Sequence, residues 1–385
     1  MKILLLLLAL VSIGIIGGCS FFTPPDTSQP FSVLDSPYCF VDKVKDKAHP
    51  FFVVIDTVSD ELYTKIRLYN VSTIIGTVHR APNGDYYFIN AAYHLSTWSY
   101  GQASGVVIDP ARGKVVKQIP LPQTTDQMTN ITAAGKFLCI GAQTGVFTIV
   151  DTSAGDTTQS FTDPLGPDDT ECPYVGHMEG IRFISPRPEN AMYYIKENVQ
   201  TSALCRLDGE TGERRKIYSW QGWLITPPQV EVDDAGDKAY VGIYTALDMV
   251  HTPKQAPLEL EIIDVSTGTL ERTIPLPSVE DLFRCEGERK EVYISFMSLD
   301  SKTGKLYLDL DLFFPPGNHS RTSLIAYDLA TGGFTRFYTV DDQAFNAMDL
   351  LNGKLYLRQM DFGGKDGVLR VDPETGDAKW IIGGL

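Results

Sequence analysis

The sequence predicts an all-β fold, a β-propeller of seven four-stranded blades over residues 31–385. A hairpin signal recurs along the chain, a second strand pair alternates with it, and long amphipathic helical patterns are missing. The hairpin is clearest in "GVLRVDPETGDAKW", Gly367 to Trp380, where Asp372-x-x-x-Gly376 separates two apolar runs. An Asp side chain can accept from the backbone two residues on, and Gly can take φ > 0 where the chain reverses.

The same spacing recurs at Asp109/Gly113, Asp151/Gly155, Asp208/Gly212, Asp264/Gly268 and Asp328/Gly332. A degenerate copy at Asp56 places Asp60 where the others have Gly. Asp tolerates the left-handed conformation, so the exception is mild. The alternating strand pairs include "NGDYYFIN", "GKFLCIG", "GDKAYVGIY", "GKLYLDLDL" and "GKLYLRQM", each led by a turn Gly. Each unit therefore reads as strand A, tight turn, strand B, loop, strand C, Asp-x-x-x-Gly turn, strand D. Units repeat every 42 to 64 residues, which suits propeller blades. The segments "FSVLD", "YCFVDKV", "FFVVID" and "YTKIRLY" read as a further unit at the start, giving seven. The alternative is six blades plus an N-terminal extension.

The first 30 residues lie outside this pattern. "MKILLLLLALVSIGIIGGCS" has Lys2, an apolar run and then small residues, the layout of a signal peptide over residues 1–18. Ile16-Gly17-Gly18-Cys19 resembles the bacterial lipobox, which implies acylation of Cys19 and attachment to the membrane through the N-terminal lipid. Residues 19–30 then form a lipidated Cys and a flexible, Pro-rich tether. Ser20, where the related signals retain proteins at the inner membrane with Asp, implies the outer membrane of a bacterial cell envelope.

The net charge of −15 excludes a phosphate-backbone partner, so no nucleic acid is expected. The five cysteines after Cys19 form no CxxC, haem or zinc pattern. Cys172 and Cys205 are the candidate disulfide, with a buried thiol at Cys205 as the alternative. No metal-ligand spacing is present, and "GPDDTEC" (Asp168, Asp169, Glu171) reads as a solvated acidic loop. There is no GxSxG, HExxH, GxGxxG or P-loop.

The motif Φ-Asp-x-x-Thr-Gly resembles the repeats of YVTN-type and quinoprotein-like propellers, and "VDPETGDAKW" is similar to a quinoprotein-like repeat with its Trp380. That Trp occurs in this copy alone, and no cofactor is expected. Fold is what the resemblance implies; propellers host many unrelated activities.

Blade topology puts the A–B and C–D turns on one face and the B–C and D–A connections on the other. The first set is tight, whereas the second holds the long segments 90–104, 159–178, 219–228, 243–258 and 309–322. Long loops on a rigid scaffold are where binding usually sits. Trp98, Tyr100, His177, Trp220, Trp223, His251, His319 and Arg321 fall there, Glu179 follows where an A strand opens, and together they are the candidate binding residues. Such aromatics suit an envelope protein, a small ligand or a glycan; packing of the loops onto the disc is the competing reading. The functional expectation is a non-catalytic binding propeller. The alternative is a propeller enzyme of lyase or lactonase type, using the His and Glu residues of that face.

Overall fold

The computed structural model describes residues 29–42, 51–68, 74–81, 83–90, 93–94, 99–100, 104–121, 127–131, 136–141, 146–151, 157–162, 181–186, 191–197, 201–208, 211, 213–221, 223–224, 229–233, 235, 237–243, 245–246, 258–278, 291–314, 319–341, 343, 345–360 and 366–383. Among these every regular element is a strand. The first sheet contains β1 (Tyr38–Asp42), β2 (Phe51–Asp56) and β3 (Glu61–Arg67). The second contains β4 (Ile74–Arg80), β5 (Tyr86–Asn90), β8 (Ser104–Asp109) and β9 (Lys114–Pro120), with the small hairpin β6 (Tyr93–His94) and β7 (Ser99–Tyr100) inserted between β5 and β8.

The third sheet is β10 (Gln127–Ile131), β11 (Phe137–Gly141), β12 (Val146–Asp151) and β13 (Thr157–Thr162). The fourth is β14 (Ile181–Pro186), β15 (Ala191–Glu197), β16 (Thr201–Asp208) and β17 (Arg214–Gln221). After the short β18 (Trp223–Leu224) comes the fifth sheet: β19 (Gln229–Val232), β20 (Lys238–Ile243), β22 (Glu259–Asp264) and β23 (Thr269–Pro275). Within it, β21 (Thr245–Ala246) pairs back onto β18. The sixth is β24 (Glu291–Asp300), β25 (Lys305–Phe314), β26 (His319–Asp328) and β27 (Phe334–Asp341). The seventh is β28 (Phe345–Leu351), β29 (Lys354–Met360), β30 (Asp366–Val371) and β31 (Ala378–Ile382).

Six sheets thus have four antiparallel strands in chain order. The first has three among the described residues, where four were expected. "FSVLD" forms a turn, not a strand: the Leu34 N–H donates to the Phe31 carbonyl at 3.1 Å, and the Phe31 N–H donates to Pro110 O at 2.8 Å. Phe31 is fully buried between Phe52 and Tyr86. Held by the turn of the next sheet and flanked by Pro30 and Pro37, the segment has no free ladder edge to join.

The Asp-x-x-x-Gly copies within the described residues make the predicted turn. In the last, the Gly376 N–H donates to the Asp372 carbonyl at 2.8 Å, while the Asp372 carboxylate accepts from Glu374 N–H at 2.9 Å. Asp264 and Asp328 repeat this with the N–H groups of Thr267 and Thr331. The Ser266 hydroxyl and the Thr267 N–H hold the exposed Asp264 carboxyl down to about 2. Gly332 and Gly376 have φ of 73° and 77°. Gly155 and Gly212 lie outside the described residues. Ahead of most of these turns the ladder shifts register, as between Val107 and Ile108, Ile262 and Ile263, and Val368 and Leu369. A bulge of this kind sharpens the strand twist.

Sheets stack face to face, and that explains their burial patterns. The strand that leads into the Asp turn is covered on both sides, so β2, β8 and β22 each bury four consecutive residues. Outer strands keep alternation, as in β9. Tyr240, Leu260 and Ile262 of the fifth sheet pack on Leu306, Leu308 and Leu310 of the sixth. The sixth meets the seventh through Tyr307, Leu324, Phe345 and Met348. The seventh meets the first through Tyr356, Val368, Tyr38 and Phe40.

This last seam joins the two ends of the chain, and Asp60 is its polar centre. Its backbone takes φ of 55°, the left-handed geometry that Gly supplies elsewhere. Its carboxylate, in a residue only 6% exposed, accepts from Lys354 Nζ at 2.7 Å, Tyr356 Oη at 2.7 Å and Arg370 Nε at 3.1 Å. Lys379 Nζ donates to its backbone carbonyl, and Asn352 Nδ2 donates to Thr57 Oγ1 beside it. Burial alone would raise the Asp60 carboxyl; the Lys354 and Tyr356 bonds and the Arg370 charge outweigh it and hold the carboxyl below its ordinary value.

Candidate functional site

Antiparallel strands in chain order put the tight turns on one face and the other connections on the opposite face. On that opposite face the structure adds ladders that the stacked sheets do not need. The β5–β8 connection folds back as β6–β7, pairing Tyr93 with Tyr100. The connection carrying Trp223 pairs it with Ala246, joining β18 to β21. In the sixth sheet β25 and β26 each run ten residues, with pairing continued to Phe314 and His319.

The last of these corrects an expectation. Residues 309–322 were read as a loop, but Asp309 to Phe314 and His319 to Thr322 are paired strand. Leu308, Leu310 and Leu312 are fully buried on one side, so strand packing extends to the hairpin's end. Arg321, an anion-binding candidate, lies within β26, and its guanidinium donates to the Asp341 carboxylate of the neighbouring strand.

Trp220 is a second correction. It sits inside β17, not in the connection 219–228, and is 5% exposed. Its Nε1–H donates to Glu261 Oε2 of the next sheet at 2.6 Å, and its ring meets Tyr218 edge-on at 5.0 Å. Glu261 is 7% exposed; burial pushes its carboxyl up, while the indole N–H partly offsets the shift. Trp220 therefore packs two sheets together. Tyr100, Trp223 and His319 lie in paired strands of this face, on the second sheet, the fourth-to-fifth connection and the sixth sheet. Trp98, His177, Glu179 and His251 lie outside the described residues, as do Cys19 and Cys172. Cys205 is buried within β16.

Sequence reasoning missed two interior carboxylates, Asp309 and Asp311, near the loop-face end of β25. They are 0% and 3% exposed. The Asp311 oxygens accept from Ser295 Oγ and Thr322 Oγ1. Both oxygens of Asp309 are buried without a hydrogen-bond partner. Burial, reinforced by Asp311, pushes the Asp309 carboxyl well above the carboxylate range, and burial raises Asp311 against its two hydroxyl donors. The available signal was "YLDLDLFF": two acids spaced by two in a strand too apolar to have a wet side.

Comparison with models of known protein families and with curated protein sequences returns no match. Solved structures do match. The periplasmic gluconolactonase PpgL of Pseudomonas aeruginosa aligns with a TM-score of 0.57 at 11% identity, over 91% of this chain and 97% of that one. Puromycin hydrolase, solved as an S511A mutant with a bound ligand, aligns with a TM-score of 0.51 at 13% identity, over 94% of this chain and 55% of that one. The β-propeller domain of the trilobed protease from Pyrococcus furiosus gives 0.49 at 12%, over 90% and 98%. The fold is a β-propeller. The propellers it resembles include enzymes of different chemistry, so the likeness extends to architecture alone.

Proposed function

We propose that this chain is an exported, lipid-anchored propeller that binds a partner protein, small ligand or glycan through the face opposite its tight turns. The observation that carries the reading is the extra structure on that face. The β6–β7 hairpin, the β18–β21 pair and the prolonged β25–β26 hairpin are additions that stacking of the sheets does not require. Tyr100, Trp223 and His319 belong to these strands, and aromatic residues carried by a rigid scaffold suit recognition. The lipobox-like Ile16–Cys19 stretch supports anchoring in the bacterial envelope, with Ser20 favouring the outer membrane.

The test uses the chain with Cys19 replaced by Ser, probed on peptide and glycan arrays. Tyr100→Ala and Trp223→Ala are compared with Glu374→Ala on the tight-turn face. Truncating an anchoring aromatic costs about 2 kcal/mol, roughly thirty-fold in affinity. Loss in the first two variants with no change in the third is expected. Loss only in the third would overturn the choice of face.

A further inference from the structure

Strand β25 reads "KLYLDLDLFF", and its two sides face different neighbours. Leu306, Leu308, Leu310 and Leu312 belong to the apolar cluster shared with the fifth sheet. Tyr307 belongs to the cluster shared with the seventh. Alternation puts Asp309 and Asp311 on the Tyr307 side. The residue paired with Asp309 on β26 is Leu324, which packs into that same cluster. Two acids therefore occupy interior positions between two blades, beside the apolar cluster that the sixth and seventh sheets share.

The polar groups around them are nearly all acceptors. Asp309 contributes two oxygens with no donor. Ser295 gives its hydroxyl proton to Asp311. Thr322 Oγ1 contacts both Asp311 and, at 2.8 Å, the Gln343 backbone carbonyl. A hydroxyl has one proton, so it serves only one of these at a time. The Gln343 side-chain oxygen is likewise buried without a donor. Burial and mutual repulsion are the influences on Asp309, and no lysine or arginine among the described residues compensates either acid. An uncompensated buried charge costs several kcal/mol. An interior with many more acceptor oxygens than protons is short of positive charge.

We propose that Asp309 and Asp311 form the carboxylate pair of a buried divalent-cation site between the sixth and seventh sheets, completed by oxygens of Ser295, Thr322 and Gln343, with calcium as the occupant. Two negative charges call for a divalent ion. The donor set is all oxygen, which disfavours zinc and copper. Magnesium dehydrates reluctantly and keeps several waters, whereas calcium accepts six to eight protein oxygens at about 2.3–2.6 Å in irregular geometry. Acids two residues apart on one strand stand about 6.6 Å apart at their Cα atoms, a span one such ion bridges. Among the described residues no three His, Cys, Asp or Glu side chains converge on a metal, so hydroxyl and amide oxygens complete the shell.

The proposal does not rest on the binding reading, and its test reads metal, not partner. The full chain with Cys19→Ser is stripped with a chelator, then titrated with calcium alone. Bound calcium is measured by elemental analysis and the melting temperature is followed. One calcium per chain and a rise of several degrees in millimolar calcium are expected, with both lost in Asp309→Asn. Asp311→Asn provides the same reading where the first variant does not fold. Absence of stoichiometric calcium in the parent chain overturns the proposal whatever the variants do. So does undiminished calcium binding by a folded variant, which would put the metal elsewhere. A parent that ignores calcium while Asp309→Asn melts higher at pH 7 would identify Asp309 as a neutral, protonated acid.

Discussion

Replacing Asp60 with Gly separates two roles with opposite signs. Every other copy of the turn has Gly at this position. The substitution therefore keeps the turn and relieves a left-handed non-Gly residue, worth about 1 kcal/mol in favour of the variant. Were the carboxylate idle, Asp60→Gly would stabilise. The structure gives the carboxylate three donors: Lys354, Tyr356 and Arg370. Bonds to a charged group contribute about 1.5–3 kcal/mol each, but these share one acceptor and do not add. The two cations keep some solvent, with side-chain exposures of 26% and 17%, while Tyr356 is fully buried and would keep only its long 3.4 Å contact with the Thr57 carbonyl. A gross loss of about 4 kcal/mol against the gain of about 1 kcal/mol leaves about 3 kcal/mol. For a chain this long that is about 4 °C in melting temperature. Calorimetry or thermal circular dichroism reads it directly. The pH dependence follows from the lowered carboxyl. Its contribution is complete above the unfolded value of about 3.9 and disappears as pH falls through the lower folded value. The cost of Asp60→Gly should be constant from pH 5 to 8 and shrink below pH 4. A variant that melts at or above the parent temperature at pH 7 refutes the account of the seam.

Cys19→Ser should move the protein from the membrane to the soluble fraction on cell fractionation; continued membrane partitioning through residues 1–18 would refute lipidation. Gly376→Ala should cost more than Gly332→Ala by urea denaturation: both lie at positive φ, but a Cβ on Gly376 would meet the Phe337 carbonyl at 2.6 Å, whereas Gly332 has nothing nearer than 3.7 Å. Trp220→Phe should destabilise by about 2 kcal/mol at pH 7, because Glu261 stays buried without its donor. Glu261 already has a raised folded value, and losing the N–H raises it further; the penalty therefore applies above that value and fades as pH falls and the acid protonates.

Features whose partners are near in sequence were legible before the structure. The Asp-x-x-x-Gly spacing located the hairpins because an Asp carboxylate and a Gly φ act within five residues. The first unit's strands β1 to β3 were also readable. Its expected opening strand was not, since only the Pro110 carbonyl of another sheet explains why Phe31–Asp35 turns. Trp220 was misplaced because the strand outlasts the apolar pattern and its partner Glu261 lies 41 residues on. Asp60 was read as a tolerated exception to Gly; its role depends on residues 294 to 319 positions away. Asp309 and Asp311 were not singled out, because 309–322 reads as a loop in sequence and only stacking against the seventh sheet makes their side of β25 dry.

The seam also determines how the ring can come apart. The first sheet is built wholly from the chain's early residues and the seventh wholly from its last; among the described residues no strand from one end is hydrogen-bonded into the sheet of the other. Elsewhere the disc is continuous polypeptide, and separating neighbouring blades strains the links between them. Among the described residues a gap here can widen without breaking a backbone ladder, by release of side-chain contacts: the Asp60 bonds, the Asn352–Thr57 bond and the apolar packing of Tyr38 and Phe40 on Tyr356 and Val368. The molecule is mechanically a split washer with a side-chain clasp.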